Sequence, residues 1–390
     1  MRIAIPIHSF VPGGVERVGL RLAEEWQAAG HDVLIVLGRR RGRGSLSAPS
    51  LDYRTRPEPF PTDHWETPWM IWSMLRFLLR ERVDVVFCPG NTYTIVCVAM
   101  KLLLGRRCPP MLVKISNDLE RRDMHLPFRA IYHLWLRIQG YYLDLFVGLA
   151  DPMRTEIEHR LAVDPARVEI IPDPAITRAE LDRFSRPRER RDKPRAGCRF
   201  LNMGRLVAQK NQALLLRSFA AGGQPEDSLV IAGEGPERTR LARLIGELGL
   251  AARVQLAGHV DDPGAALKQA DVLVVSSDYE GVPAVVIEAI AGGLPIVSTD
   301  CCTSMGWLTG QGKFGIVVAR RDARALGGAI GDARRLTPDR AAMKRFAEQF
   351  TLERSSRTYL DALARLACRA RRQRIAGLRY RVREWRERGV

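Results

Sequence analysis

Short apolar runs alternate with longer amphipathic stretches along most of the chain, the pattern of strands buried on both faces and joined by helices. Residues 2–7 give a first buried strand, 15–29 an amphipathic helix and 32–37 a second strand, so the chain opens with a β-α-β unit. Strand-like runs return at 83–88, 111–116 and 144–149. With helical stretches between them they predict a doubly wound parallel sheet whose ligand sits beyond the carboxyl ends of the strands. The alternation fails from Pro172, and proline mixed with charge from Ser185 to Arg195 predicts an exposed linker. A second series of strands and helices begins at Cys198, and helical stretches at 322–334, 338–349 and from 352 onward close it. The expected organisation is an α/β protein with one domain over 1–184, a second over 185–351, and a helix with a basic tail over 352–390. A chain of 390 residues has outgrown a single core.

Composition changes this picture little, since 46% apolar and 27% charged residues suit a globular protein. Charge changes it more. The formal net charge is +17, and residues 366–390 hold nine arginines against two glutamates. With Ile375, Leu378, Tyr380, Val382 and Trp385 among those arginines, the tail reads either as a basic helix on an anionic membrane surface or as a solvated end. No zinc-finger spacing or RNA-binding signature accompanies it, so no nucleic-acid partner is expected. The stretch 65–79, with Trp65, Trp69 and Trp72, reads first as buried packing and second as an interfacial surface, while 39–44 reads as a solvated basic turn. The most membrane-like run, 94–104, is short and contains Lys101. Seven cysteines without a C-x-x-C pair suit reduced thiols, and the first strand lacks the long apolar core of a signal peptide. The expected location is cytoplasmic, with a peripheral place on the inner face of the plasma membrane if the tail binds lipid.

The densest chemistry lies in Asp278-Tyr-Glu280-Gly-Val-Pro283-Ala-Val-Val-Ile-Glu288. It follows an apolar run at 272–275 and precedes an apolar stretch closed by Gly292-Gly293, so a strand hands over to a helix here, with Pro283 as the first helical residue. The unpaired amides of a helix start, around Gly281 and Val282, suit phosphate. Carboxylates beside phosphate would repel it and match hydroxyls better. Glu280 and Glu288 therefore fit a ligand with hydroxyls on both sides of a diphosphate, as in a nucleotide sugar; the plainer reading is two solvated surface residues. Arg205 and Lys210, five apart after a strand ending at Gly204, supply a planar fork and a compact charge for a diphosphate, or are ordinary surface cations. Gly13-Gly14 and Gly233-Glu-Gly235 either let backbone approach a ligand or make plain turns. Asn117, at a strand end, is a hydrogen-bonding candidate, and His259 after Gly258 is either a nucleobase contact or a loop histidine.

Glu280-x7-Glu288 with Gly-Val-Pro between, Gly-Gly-Val-Glu16-Arg17, and the Arg205/Lys210 spacing together resemble the retaining glycosyltransferases of the GT-B fold, family-4 type (glycosyl transferases group 1), over roughly residues 1 to 350. The resemblance implies two Rossmann-like domains facing each other across a cleft, with a nucleoside diphosphate sugar held mainly by the second. On that pattern Arg205, Lys210 and the amides of Gly281 and Val282 would stabilise the departing diphosphate, and Glu280 would fix the transferred sugar. Glu288 would hold the ribose, Gly258 and His259 the base, and Gly235 would mark the second glycine loop. Gly13, Gly14 and Asn117 would lie on the acceptor and sugar side. The chain departs from the pattern twice, with Asn117 where a histidine is common and Trp307 where a glutamate is common. The resemblance further implies same-face substitution with no protein nucleophile, no metal and no cofactor beyond the donor. Its acceptor would be a lipid-linked glycan intermediate of envelope or exopolysaccharide synthesis. A nucleotide-sugar epimerase on the same fold, and a non-catalytic basic membrane or nucleic-acid adaptor, are the alternatives.

Overall fold

A computed structural model describes all residues except 11–13, 40–49, 59–61, 63, 122–123, 187–196, 261 and 388–390, and describes 374–387 by backbone alone. Gly13 and nearly all of the proposed linker therefore lie outside the described residues.

The first half contains β1 (Arg2–Ile7), α1 (Gly14–Ala28), β2 (Asp32–Leu37), β3 (Asp52–Thr55), α2 (Glu66–Arg80), β4 (Val85–Cys88) and α3 (Thr94–Leu104). It continues with β5 (Met111–Lys114), α4 (Leu126–Tyr142), β6 (Leu145–Gly148), α5 (Met153–Leu161), β7 (Val168–Ile170) and α6 (Arg178–Phe184). The second half contains β8 (Arg199–Met203), α7 (Gln212–Gly222), β9 (Ser228–Ala232), α8 (Arg238–Glu247), β10 (Val254–Gly258), α9 (Pro263–Gln269) and β11 (Val272–Val275). It ends with α10 (Ala284–Ala291), β12 (Ile296–Thr299), α11 (Met305–Leu308), β13 (Gly315–Val318), α12 (Ala323–Asp332), α13 (Arg340–Ala347) and α14 (Leu352–Glu387).

Two parallel sheets result, of order β3-β2-β1-β4-β5-β6-β7 and β10-β9-β8-β11-β12-β13. Their strands read as continuous Val, Ile and Leu because helices cover both faces. In each sheet the strand order reverses once, between β1 and β4 and between β8 and β11, and ligands of open α/β sheets bind at such a reversal. The pairing of Val272 with Phe200 and Leu273 with Leu201 brings the loop after β8 beside the loop after β11. Those two loops carry Arg205, Lys210 and Glu280.

The last helix binds the ends of the chain together. Leu352, Tyr359, Ala362 and Leu363 of α14 are buried with Trp26, Phe87 and the first strands. Trp26 Nε1 donates to the Ser356 carbonyl at 3.2 Å, Ser355 Oγ to the Pro172 carbonyl at 2.7 Å, and Arg365 pairs with Glu169 at 2.8 Å. Another apolar cluster runs without a break from the α2–α5 side of the first sheet into α10 and α13 of the second.

Three local expectations are corrected. Arg39 is buried and ion-paired to Glu58 and Glu66, because its guanidinium bridges β2 to the start of α2; it is no solvated turn residue. The tryptophan-rich stretch is only half core: Met70, Met74 and Phe77 face inward, while Trp65 and Trp72 are exposed. Pro283 caps α10 from an extended conformation (φ −73°, ψ 117°) and the helix starts one residue later, at Ala284.

Candidate active site

The loop from Gly204 to Asn211 is tied down at both ends. Asn211 takes a left-handed conformation (φ 46°, ψ 46°) and its side chain accepts from the Leu214 amide, which caps α7. The Lys210 carbonyl accepts from Ser276 Oγ at 2.9 Å, so Lys210 is held against the end of β11. Its ammonium then reaches Glu280, with Nζ 2.5 Å from Oε1. The same carboxylate oxygen accepts from Ser277 Oγ at 2.6 Å, and the Glu280 amide donates to the Cys301 carbonyl at 2.8 Å. Asp278 is fixed in turn by Asn211, Arg320 and Arg321. Glu280 is therefore a buried, oriented acceptor at the head of α10.

Arg205 is exposed, and among the described residues its side chain has no hydrogen-bond or ion-pair partner, so its fork is available to a ligand. The three glycine loops at the ends of β8, β9 and β10 pack backbone to backbone. A Cβ on Gly233 would stand 1.9 Å from the Gly204 carbonyl, and one on Gly235 would stand 2.3 Å from the Leu206 carbonyl. The Gly233 amide donates to the Gly258 carbonyl at 2.7 Å, which sets Gly258 and the exposed His259 beside that stack.

The first domain closes directly on this assembly. Asn117 pairs with Gly281 in a short antiparallel bridge, and the Asp118 amide donates to the Glu280 carbonyl at 3.4 Å. A Cβ on Gly281 would lie 1.9 Å from the Ser116 carbonyl, so the contact requires glycine. Arg121 stacks over Tyr279 with 4.5 Å from its guanidinium carbon to the ring centre. Gly14 begins α1 with open space where a Cβ would be. Beside it, Glu16 accepts from Tyr93 Oη at 2.8 Å, Tyr93 stacks on His8, and burial together with Arg39 holds His8 down at about 4. Glu288, on the second turn of α10, is half-buried; burial raises its pKa, the charges of Arg17 and Arg21 on α1 oppose the rise and Glu180 adds to it. Lys210, Glu280, Gly281 and Asn117 thus form one contact cluster, whereas no described contact joins Glu288 to Lys210 or Glu280. Val282 is buried and can offer only its backbone.

Residues 12–177 match the Glycosyltransferase Family 4 model, and residues 185–350 match that of Glycosyl transferases group 1. A phosphatidyl-myo-inositol mannosyltransferase of Mycobacterium tuberculosis is 32% identical over 321 residues, covering 77% of this chain and 78% of that one. The chain belongs to the glycosyl transferases group 1. It is also 33% identical over 185 residues to the lipopolysaccharide core biosynthesis glycosyltransferase LpsE of Rhizobium meliloti, covering 45% of this chain and 53% of that one. The chain spans about half or less of the length of several curated relatives it matches. In fold it is similar to Anabaena Alr3699/HepE in complex with UDP-glucose, with a TM-score of 0.71 at 14% identity, over 94% of this chain and 100% of that one.

The two departures from the group 1 glycosyltransferase pattern have structural accounts. Trp307 packs edge-on against Phe346 and Phe350, so that position serves the core of the second domain. Asn117 is occupied with Gly281 across the cleft. A further cluster escaped the sequence reading: Asp118 accepts from the Thr303 amide (3.0 Å) and hydroxyl (2.9 Å), with Glu156 Oε2 3.4 Å from the same hydroxyl. Burial and the neighbouring Glu156 carboxylate push Asp118 up to about 7, against the two bonds from Thr303 and the charge of Arg320. Asp118 and Thr303 are 185 positions apart, and no local pattern links them. Among the described residues, no group of three or more His, Cys, Asp or Glu side chains is placed to hold a metal ion.

Proposed function

We propose that this group 1 glycosyltransferase moves a sugar from a nucleoside diphosphate sugar to an acceptor hydroxyl with retention of configuration. The observation that carries the reading is Lys210 joined to a buried Glu280 at the head of α10, under a backbone contact that closes the two domains. The diphosphate would lie among Lys210, the exposed Arg205 and the first amides of α10, where fixed positive charge is opposed to the charge that grows as the bond to the anomeric carbon breaks. Glu280 would accept from hydroxyls of the transferred sugar, and Glu288 from the ribose. The loops at Gly235, Gly258 and His259 would flank the nucleoside.

In the transfer, the acceptor oxygen bonds to the anomeric carbon on the face the diphosphate leaves. The carbon–oxygen bond to the diphosphate breaks with its electron pair, and the acceptor proton passes to a phosphate oxygen. Cationic side chains fill the role of a metal in this scheme, so no metal or further cofactor is invoked. Closure through Asn117 and Gly281 would exclude water, the competing acceptor. A lipid-linked glycan intermediate of envelope or exopolysaccharide synthesis is the proposed acceptor, and the cytoplasm or the inner face of the plasma membrane the proposed location. Incubation with a panel of labelled sugar nucleotides and lipid-linked acceptors, followed by analysis of the product anomer, tests this. One labelled glycolipid with the donor's own anomeric configuration is expected. An inverted product contradicts retention, and an isomerised sugar nucleotide without any transfer contradicts the reaction class.

A further inference from the structure

The helix that leaves the site loop is built with its apolar stripe outward. In α4, Leu136, Gln139 and Gly140 pack on the domain, while Ile131, Leu134, Ile138 and Tyr141 lie on the opposite side. Phe128, Ile131, Leu134 and Tyr141 are between 62% and 81% exposed, where an amphipathic surface helix should carry polar residues. The neighbouring α3 repeats the pattern, with Leu102 and Leu103 exposed beside the exposed Arg106 and Arg107. Exposed charge within these two stretches has one sign: Arg106, Arg107 and Arg137 are exposed, and neither 94–110 nor 124–143 contains an Asp or Glu. A second copy of the chain would repel such a face, and an anionic lipid surface complements it.

We propose that the α3–α4 face is a docking surface for an anionic membrane. The apolar stripe of α4 sits among the acyl chain ends nearest the headgroups, and the arginines meet lipid phosphates. Asn117 and Arg121, which touch Gly281 and Tyr279, lie only a few positions before α4, so docking brings the segment that closes on the site near the bilayer. The consequence for acceptor delivery rests on the transfer reading; the docking itself does not.

Flotation of the full-length chain with vesicles of phosphatidylglycerol and phosphatidylethanolamine, without sugar nucleotide, tests it. The unaltered chain is expected to float, and Ile131→Glu/Ile138→Glu to lower the bound fraction by about tenfold or more. Both positions are exposed, so melting temperature and sugar-nucleotide binding stay unchanged. Replacing Arg106, Arg107 and Arg137 by Ser is expected to weaken binding to the anionic vesicles and flatten its dependence on salt. Flotation of the double variant like the unaltered chain overturns the proposal, as does equal binding to pure phosphatidylcholine. A chain that ignores vesicles and runs as a dimer split by the double variant also overturns it. Loss of transfer activity with flotation intact would count against the reaction and not against the docking.

Discussion

At the scale of single residues, Lys210 and Glu280 are the pair on which the site turns. Glu280 is buried and its carboxylate has Lys210 and Ser277 as partners, so removing Lys210 strands a charge. Lys210→Ala is expected to cost about 2 kcal/mol or more of stability, and Glu280→Gln in the same chain to recover most of it, as read by denaturant unfolding. Turnover is expected to stay low in both variants, because on the proposed reading the diphosphate has lost a cationic partner. Asp118 is a second such residue. Its pKa of about 7 in the closed protein exceeds that of a free carboxylate, so the folded form binds the extra proton between about pH 4 and 7 and loses stability as pH rises through that window. The neutral Asp118→Asn should therefore gain melting temperature relative to the unaltered chain between pH 5.5 and pH 8; a constant difference would show that Asp118 does not titrate there.

At the scale of elements, α14 shows how sequence and packing divide the work. Leu352, Tyr359, Ala362 and Leu363 are spaced to line one face, and that face fills the groove over Trp26 and Phe87. A chain ended after residue 351 is expected to lose cooperative unfolding, whereas one ended after 373 should melt within about 3 °C of the full chain. The long apolar strands and their helices were legible because their periods are strong. The weakly patterned β3 and the short β7 were not. The short α6 was missed although it carries its own start signal, the Thr177/Glu180 capping box, because the prolines before it read as the end of regular structure. The inward side of the tryptophan-rich α2 could not be chosen from sequence, since both of its faces are apolar.

At the scale of the whole molecule, the site depends on contacts that no window of sequence contains. Glu280, Lys210 and Arg205 could be singled out because each sits at a strand end with a chemical reason to be there. That Asn117 presses on Gly281, that Thr303 clasps Asp118, and that Glu288 feels the charge of Arg17 follow only from the closed arrangement of two domains. Gly281→Ala strikes at that closure: its methyl meets the Ser116 carbonyl, so turnover should fall about tenfold to a hundredfold, with melting temperature lowered by a few degrees. The most direct test of the whole account is calorimetric titration with a panel of nucleoside diphosphate sugars, run on the unaltered chain and on Lys210→Ala. At least one sugar nucleotide should bind the unaltered chain, and its affinity should drop about a hundredfold in the variant. Failure of the entire panel to bind, or equal binding to both proteins, would contradict it.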